Sequence, residues 1–153
     1  MIPADSLLSL KFYKPVQDLD FNEVVTLICK EDPRFSKSAY GFVRQGLDFT
    51  VKELKKSDAS RAGKSLHVTG EELLMGLRAF ALDQFGPMAR TVLGDWGVTK
   101  CGDFGDIVFN LIEYNVFSRN AQDQREDFAE FYTFEEAFDE PFRPKEQRQP
   151  RFV

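Results

Sequence analysis

The stretch from Val68 to Gly97 constrains this chain most, because the ends of two successive helices are written into it. Thr69 and Glu72 have the spacing of a capping box, in which each side chain answers the other's backbone N–H. Val68 and Leu73 stand where a hydrophobic staple would fix the angle of entry. Leu73, Leu77, Phe80 and Ala81 then recur at helical steps. Gly86-Pro87 closes that helix and opens the next, since proline suits a first helical position. Ala89, Val92, Leu93 and Trp96 form the second apolar face, and Gly97 stops it. A chain punctuated this way is committed to short packed helices, so the fold class expected is mainly α.

The flanks extend that reading. Asp20 and Glu23 again have capping-box spacing, and Phe21, Val24, Val25 and Ile28 give a helical face that ends at Asp32-Pro33. Ser36 opens a longer helix. Tyr40, Val43, Leu47, Val51 and Leu54 form one stripe and Phe42, Gly46 and Phe49 a second, an arc wide enough to require several neighbours. Lys55 to Ser65 has no period and reads as a surface loop. Beyond Gly97, Phe104, Ile107, Val108, Leu111 and Ile112 supply another apolar face, and VFSR (116–119) and REDFAEFY (125–132) flank the polar NAQDQ (120–124). Three helices followed by a β-hairpin is the order of a winged helix, so residues 68–132 are expected to form a winged-helix-like half packed on the two N-terminal helices. Thr133 and Glu136 cap one last turn, and the alternation of Leu8, Leu10 and Phe12 suits a short strand or extended arm. With 153 residues, 42% of them hydrophobic and sixteen of them phenylalanine, the chain has material for one core, rich in phenylalanine. Residues 1–142 therefore read as a single domain and 143–153 as a flexible tail.

Charge is segregated. The tail carries Arg143, Lys145, Arg148 and Arg151 against Glu146, a net of +3 that leaves −8 for residues 1–141 within the overall −5. Such a division suggests two surfaces with different partners, or a tail that folds back on the body. Asp103, Asp106, Asn110 and Glu113 step by three, four and three, which places them in one stripe opposite Ile107, Val108 and Leu111. A recognition helix would push this stripe into the DNA groove, where three carboxylates would face a field that calls for lysine and arginine. Duplex DNA is therefore not an expected ligand. The stripe reads as a solvated or protein-docking face whose three carboxylates would tolerate exchange for lysine.

Other sites are weaker. His67 is the only histidine and reads as a packed residue beside Val68 that bonds a backbone carbonyl. No spacing joins it to Cys101 as a nucleophilic dyad. Cys29 and Cys101 form no CxxC, which with the lack of an apolar leader or membrane-length apolar segment suggests a reducing cytoplasm, thiols unpaired and no membrane. The acids between Asp123 and Glu140 face only Arg125, without glycine or calcium-loop spacing, so no metal is expected there, and Arg125 is expected to pair with Asp123 or Asp127. Neither GxGxxG nor GxxxxGK[ST] occurs, and no cofactor is implied.

The strings EDPRFSKSAYGFVRQGLDFT (31–50), HVTGEELLMGLRAFALDQFGPMARTVLGDWGV (67–98), CGDFGDIVFNLIEYNVF (101–117) and QREDFAEFYTFEEAF (124–138) resemble, in order, an uncharacterised bacterial family restricted to Verrucomicrobia and Planctomycetes. The resemblance runs from about Phe21 to Phe142 and departs at the Lys55–Ser65 loop and the tail. It implies a bacterial, cytoplasmic protein and assigns no residue a role. The leading functional expectation is thus a non-enzymatic interaction module that recognises another macromolecule, in the first place a protein, with its acidic face, its tail or both. The alternative is an RNA- or ribosome-associated factor acting through the tail. An enzyme using two converging carboxylates is a third.

Overall fold

A computed structural model of the chain describes residues 20–57, 68–117, 128 and 130–144. Among these, five α-helices follow one another: α1 (Phe21–Glu31), α2 (Lys37–Ser57), α3 (Gly70–Phe85), α4 (Ala89–Asp95) and α5 (Cys101–Glu113). A π-type turn (Glu135–Asp139) and a 3-10 turn (Glu140–Phe142) close the described chain.

The helix ends are set by local chemistry. At α3 the Glu72 N–H donates to Thr69 Oγ1 (3.1 Å) while the Thr69 N–H donates to Glu72 Oε1 (3.0 Å), so two of the orphan donors at a helix start are satisfied reciprocally. Thr133 and Glu136 repeat the device at the last turn. Gly86 at φ +52 breaks α3 into a 3-10 turn, Gly86–Met88, that carries Pro87 and leads into α4. Helices α4 and α5 both end in the six-to-one, five-to-two pattern. Val98 N–H reaches Leu93 O and Gly97 N–H reaches Gly94 O, with Gly97 at φ +93. At α5, Val116 N–H reaches Leu111 O and Asn115 N–H reaches Ile112 O, with Asn115 at φ +61.

The core is rich in phenylalanine. Phe42 of α2 is its hub, with ring centroids 5.2 Å from Phe80, 5.8 Å from Phe85, 5.7 Å from Trp96 and 6.3 Å from Phe104. Helices α2 and α3 touch most closely at Gly76. A Cβ there would lie 1.7 Å from Thr50 Oγ1, so only glycine allows the approach. The loop between α1 and α2 docks on the turn between α4 and α5. Ser36 N–H donates to Trp96 O at 3.1 Å, and a Cβ on Gly97 would meet Arg34 O at 2.3 Å.

Two expectations change. The hairpin expected after α5 falls largely on residues 118–127 and 129, which lie outside the described residues. No strand occurs among the described residues, and Val116, Phe117 and Glu130–Tyr132, where the strands would begin and end, are bends. The reason at Val116 is physical: its N–H is spent on closing the end of α5 and is not free for a ladder. The second change concerns α5 itself, which was expected to show an open polar face. It is buried on nearly all sides, at Cys101, Asp103, Phe104, Gly105, Ile107, Val108, Phe109 and Leu111. Phe128 rests against Gly105 and meets Phe109 edge-on at 5.9 Å, so a side of α5 away from the polar stripe is covered as well.

Candidate functional site

The acidic stripe on α5 is divided among partners. Asp103 is 8% exposed, and its Oδ2 accepts from Thr99 N–H (2.9 Å) and Thr99 Oγ1 (3.2 Å), which secures the start of α5. Asp106 accepts from Arg34 Nη1 at 2.9 Å. Asn110 Nδ2 lies 3.0 Å from both Asp32 Oδ2 and the Tyr40 hydroxyl, donating to each. Of the four, only Glu113 is exposed. The single solvated face expected from the 3-4-3 spacing is thus corrected: the periodicity reported polarity, and side chains of the α1–α2 loop and of α2, 70 to 78 residues away, take up Asp106 and Asn110. The structure brings Asp106 and Asn110 together with Asp32, Arg34 and Tyr40, and leaves Asp103 and Glu113 apart from them.

Arg34 organises this cluster. It clasps Asp32 in a fork, Nε to Oδ1 at 2.8 Å and Nη2 to Oδ2 at 2.7 Å, and its remaining amino group reaches Asp106. Those side-chain hydrogen bonds, more than the one from Asn110, hold the Asp32 carboxyl well below the usual carboxylate range against the opposing effect of burial. Burial pushes the Tyr40 hydroxyl up to about 12, so it is a neutral acceptor for Asn110. The two carboxylates that converge here share one guanidinium. They form a structural clasp between the α1–α2 loop and α5, not an acid–base pair.

The cysteines are both free thiols. Burial raises each above its ordinary value, and Cys101 Sγ donates to Tyr132 O at 3.2 Å, the opposite of the thiolate a nucleophile needs. His67, Arg125 and Asp123 lie outside the described residues. Among the described residues no three His, Cys, Asp or Glu side chains are grouped to hold a metal ion, and no helix is long and apolar enough to cross a membrane. Of the tail cations, Arg143 is described. It donates to Glu140 Oε2 (2.6 Å) and Glu135 Oε2 (3.1 Å), folding the start of the tail onto the acidic turn. Lys145, Arg148 and Arg151 lie outside the described residues.

A different feature stands out once the side chains are placed. Between the C-terminal half of α2 and the N-terminal half of α3 lies a cleft of about 430 Å³. Its walls are Phe49, Leu54, Met75, Ala79 and Phe131, its floor is the Thr50–Gly76 contact, and Glu53, Glu71 and Glu72 stand on its rim. Met75 is 47% exposed and Phe131 40%, which is unusual for side chains of that size packed side by side. The sequence does hint at this cleft. Phe49 and Leu54 belong to the over-wide arc of α2, which asks for more cover than the described neighbours provide.

No family model matches this chain, and neither a curated protein nor a solved structure matches it.

Proposed function

We propose that this protein is a non-enzymatic interaction module that receives an amphipathic helical segment of another protein, apolar on one side and basic at its flanks, in the cleft between α2 and α3. The observation that carries this reading is the pairing of an exposed apolar trough with an acidic rim. Apolar anchors at helical spacing fill such a trough, and lysine or arginine beside them meets Glu53 and Glu71. Met75 suits the role because an unbranched thioether adapts to varied side chains. The close Thr50–Gly76 contact keeps the floor in place before a partner arrives, which lowers the ordering cost of binding. The protein-binding expectation is kept, while the surface moves from α5 to this cleft.

Selection of helical peptides from a displayed random library on the immobilised protein tests the reading. Sequences with apolar residues at i, i+3 or i+4 and i+7 and a net positive charge are expected to be enriched, and to lose binding to Met75→Glu. Exchange of Met75 for glutamine is expected to change stability by no more than about 0.5 kcal/mol, as for an ordinary surface position. Enriched peptides that are acidic, or that bind Met75→Glu as well as the parent, would sink it. The RNA- or ribosome-associated alternative rests on the tail sequence. It requires salt-sensitive RNA binding that disappears when residues 143–153 are deleted.

A further inference from the structure

Gly41 has no evident structural reason to be glycine. It is the fifth residue of α2, inside the helix's second turn, where glycine costs about 1 kcal/mol relative to alanine. A Cβ built on it would meet nothing within 4 Å, and its φ is not positive. Neither close packing nor backbone geometry therefore explains its presence, in contrast to Gly76 and Gly97. What lies above Gly41 is a groove of about 530 Å³, bounded by the outer face of α2 and the first turn of α1.

The groove has the chemistry of an oxyanion site on a body that is otherwise acidic. Lys37 and Arg44, seven residues apart, flank Gly41 on one face of α2, and neither forms an ion pair with another described residue. The Arg44 guanidinium lies 4.5 Å from the centre of the Phe21 ring, which steadies the cation and leaves its donor edge available. Asn22, Ser38 and Gln45 add neutral hydrogen-bonding groups around the opening, and Asp48 stands at the end beyond Arg44.

We infer that this groove binds a small phosphorylated, hydroxyl-bearing molecule. The phosphate lies over Gly41 between Lys37 and Arg44, and a hydroxyl of the ligand donates to Asp48. Glycine serves the site by removing the side chain that would fill the space. Two cations without a carboxylate partner among the described residues supply the charge-assisted donors that a phosphate prefers. Asp48 sets the limit on the ligand, because a second anionic group at that end would be repelled.

The test is titration of the 15N-labelled full chain with inorganic phosphate and with a hexose 6-phosphate, followed by amide chemical shifts at constant ionic strength. Saturable shifts are expected at Lys37, Gly41 and Arg44, with the hexose phosphate the tighter of the two. Gly41→Leu and Arg44→Gln should each weaken binding about tenfold or more. Gly41→Leu should also melt no lower than the parent, since leucine meets open space and favours a helix. The inference falls if the shifts match those given by chloride alone, or if Gly41→Leu binds as the parent does. It falls equally if Gly41→Leu fails to fold, because the space above Gly41 would then not be open.

Discussion

Along α5, polar side chains turn inward to partners: Asp103 to Thr99, Asp106 to Arg34, Asn110 to Tyr40 and Asp32. In the cleft between α2 and α3, apolar side chains turn outward, with Met75 of α3 47% exposed and Phe131, from the segment beyond α5, 40%. The two regions have similar helical periodicity, yet charge is structural in one and apolar surface is left unused in the other. The lesson concerns where function resides. A polar residue whose hydrogen bonds are all made inside the fold has nothing left to offer a partner. An apolar surface left in water carries a standing cost, which binding can recover.

The sharpest way to break the comparison is to treat the α5 stripe as surface. Asp103→Lys would bury an ammonium where a carboxylate accepts two bonds and would orphan the Thr99 N–H, at a cost of roughly 3 kcal/mol or more. Glu113→Lys, one end of the same stripe, should cost less than about 0.5 kcal/mol. Urea denaturation of the two variants measures the difference, and equal costs would restore the idea of a uniform solvated face.

Next in size is the floor of the cleft. Gly76→Ala places a methyl group against Thr50 and should cost about 2 kcal/mol by forcing α2 and α3 apart. Combining it with Thr50→Ala, which removes Oγ1 and Cγ2 and leaves Cβ at 2.7 Å, should recover part of the loss. A double variant no more stable than Gly76→Ala would show that the contact is not the closest approach of the helices.

These outcomes bear on what the sequence makes legible. The capping boxes at Thr69 and Thr133 and the stop at Gly97 are settled within a few residues, so local pattern finds them. Partners that meet across 70 to 78 residues leave no spacing signal, so Asp106 and Asn110 read as solvated although Arg34 and Tyr40 cover them. Val116 and Phe117 illustrate a different failure. Both are good strand formers, but the closing turn of α5, with Asn115 at φ +61, turns their amides back on Leu111. The cleft is legible only as excess: α2 has more apolar surface than a sequence can assign to neighbours.

The smallest effect expected is on the acid side of the stability profile. Because Arg34 holds Asp32 below its unfolded value, the stabilisation from this pair is present at neutral pH and is lost as pH falls from about 5 towards 2. Asp32→Asn should therefore cost about 1 kcal/mol at neutral pH, discounted because Arg34 is 54% exposed, and progressively less in acid. Urea midpoints for parent and variant that stay the same distance apart down to about pH 2 would remove the clasp from the account of acid stability.

The Arg34 clasp has one more consequence, in time instead of in energy. Its bonds join residues 70 to 78 positions apart, and closing so long a loop brings no reward until both ends are already shaped. The caps of α3 and the Gly97 turn need only their own neighbours and form early. A contact made after the folding barrier governs how fast the native state is left and hardly how fast it is reached. Arg34→Met should accordingly steepen loss of structure on dilution into denaturant while refolding proceeds at the parental rate, and a slowed refolding arm would reverse the order. The loop from Asp32 to Ser36 is, in that sense, the latch that sets how long the assembled helices stay assembled.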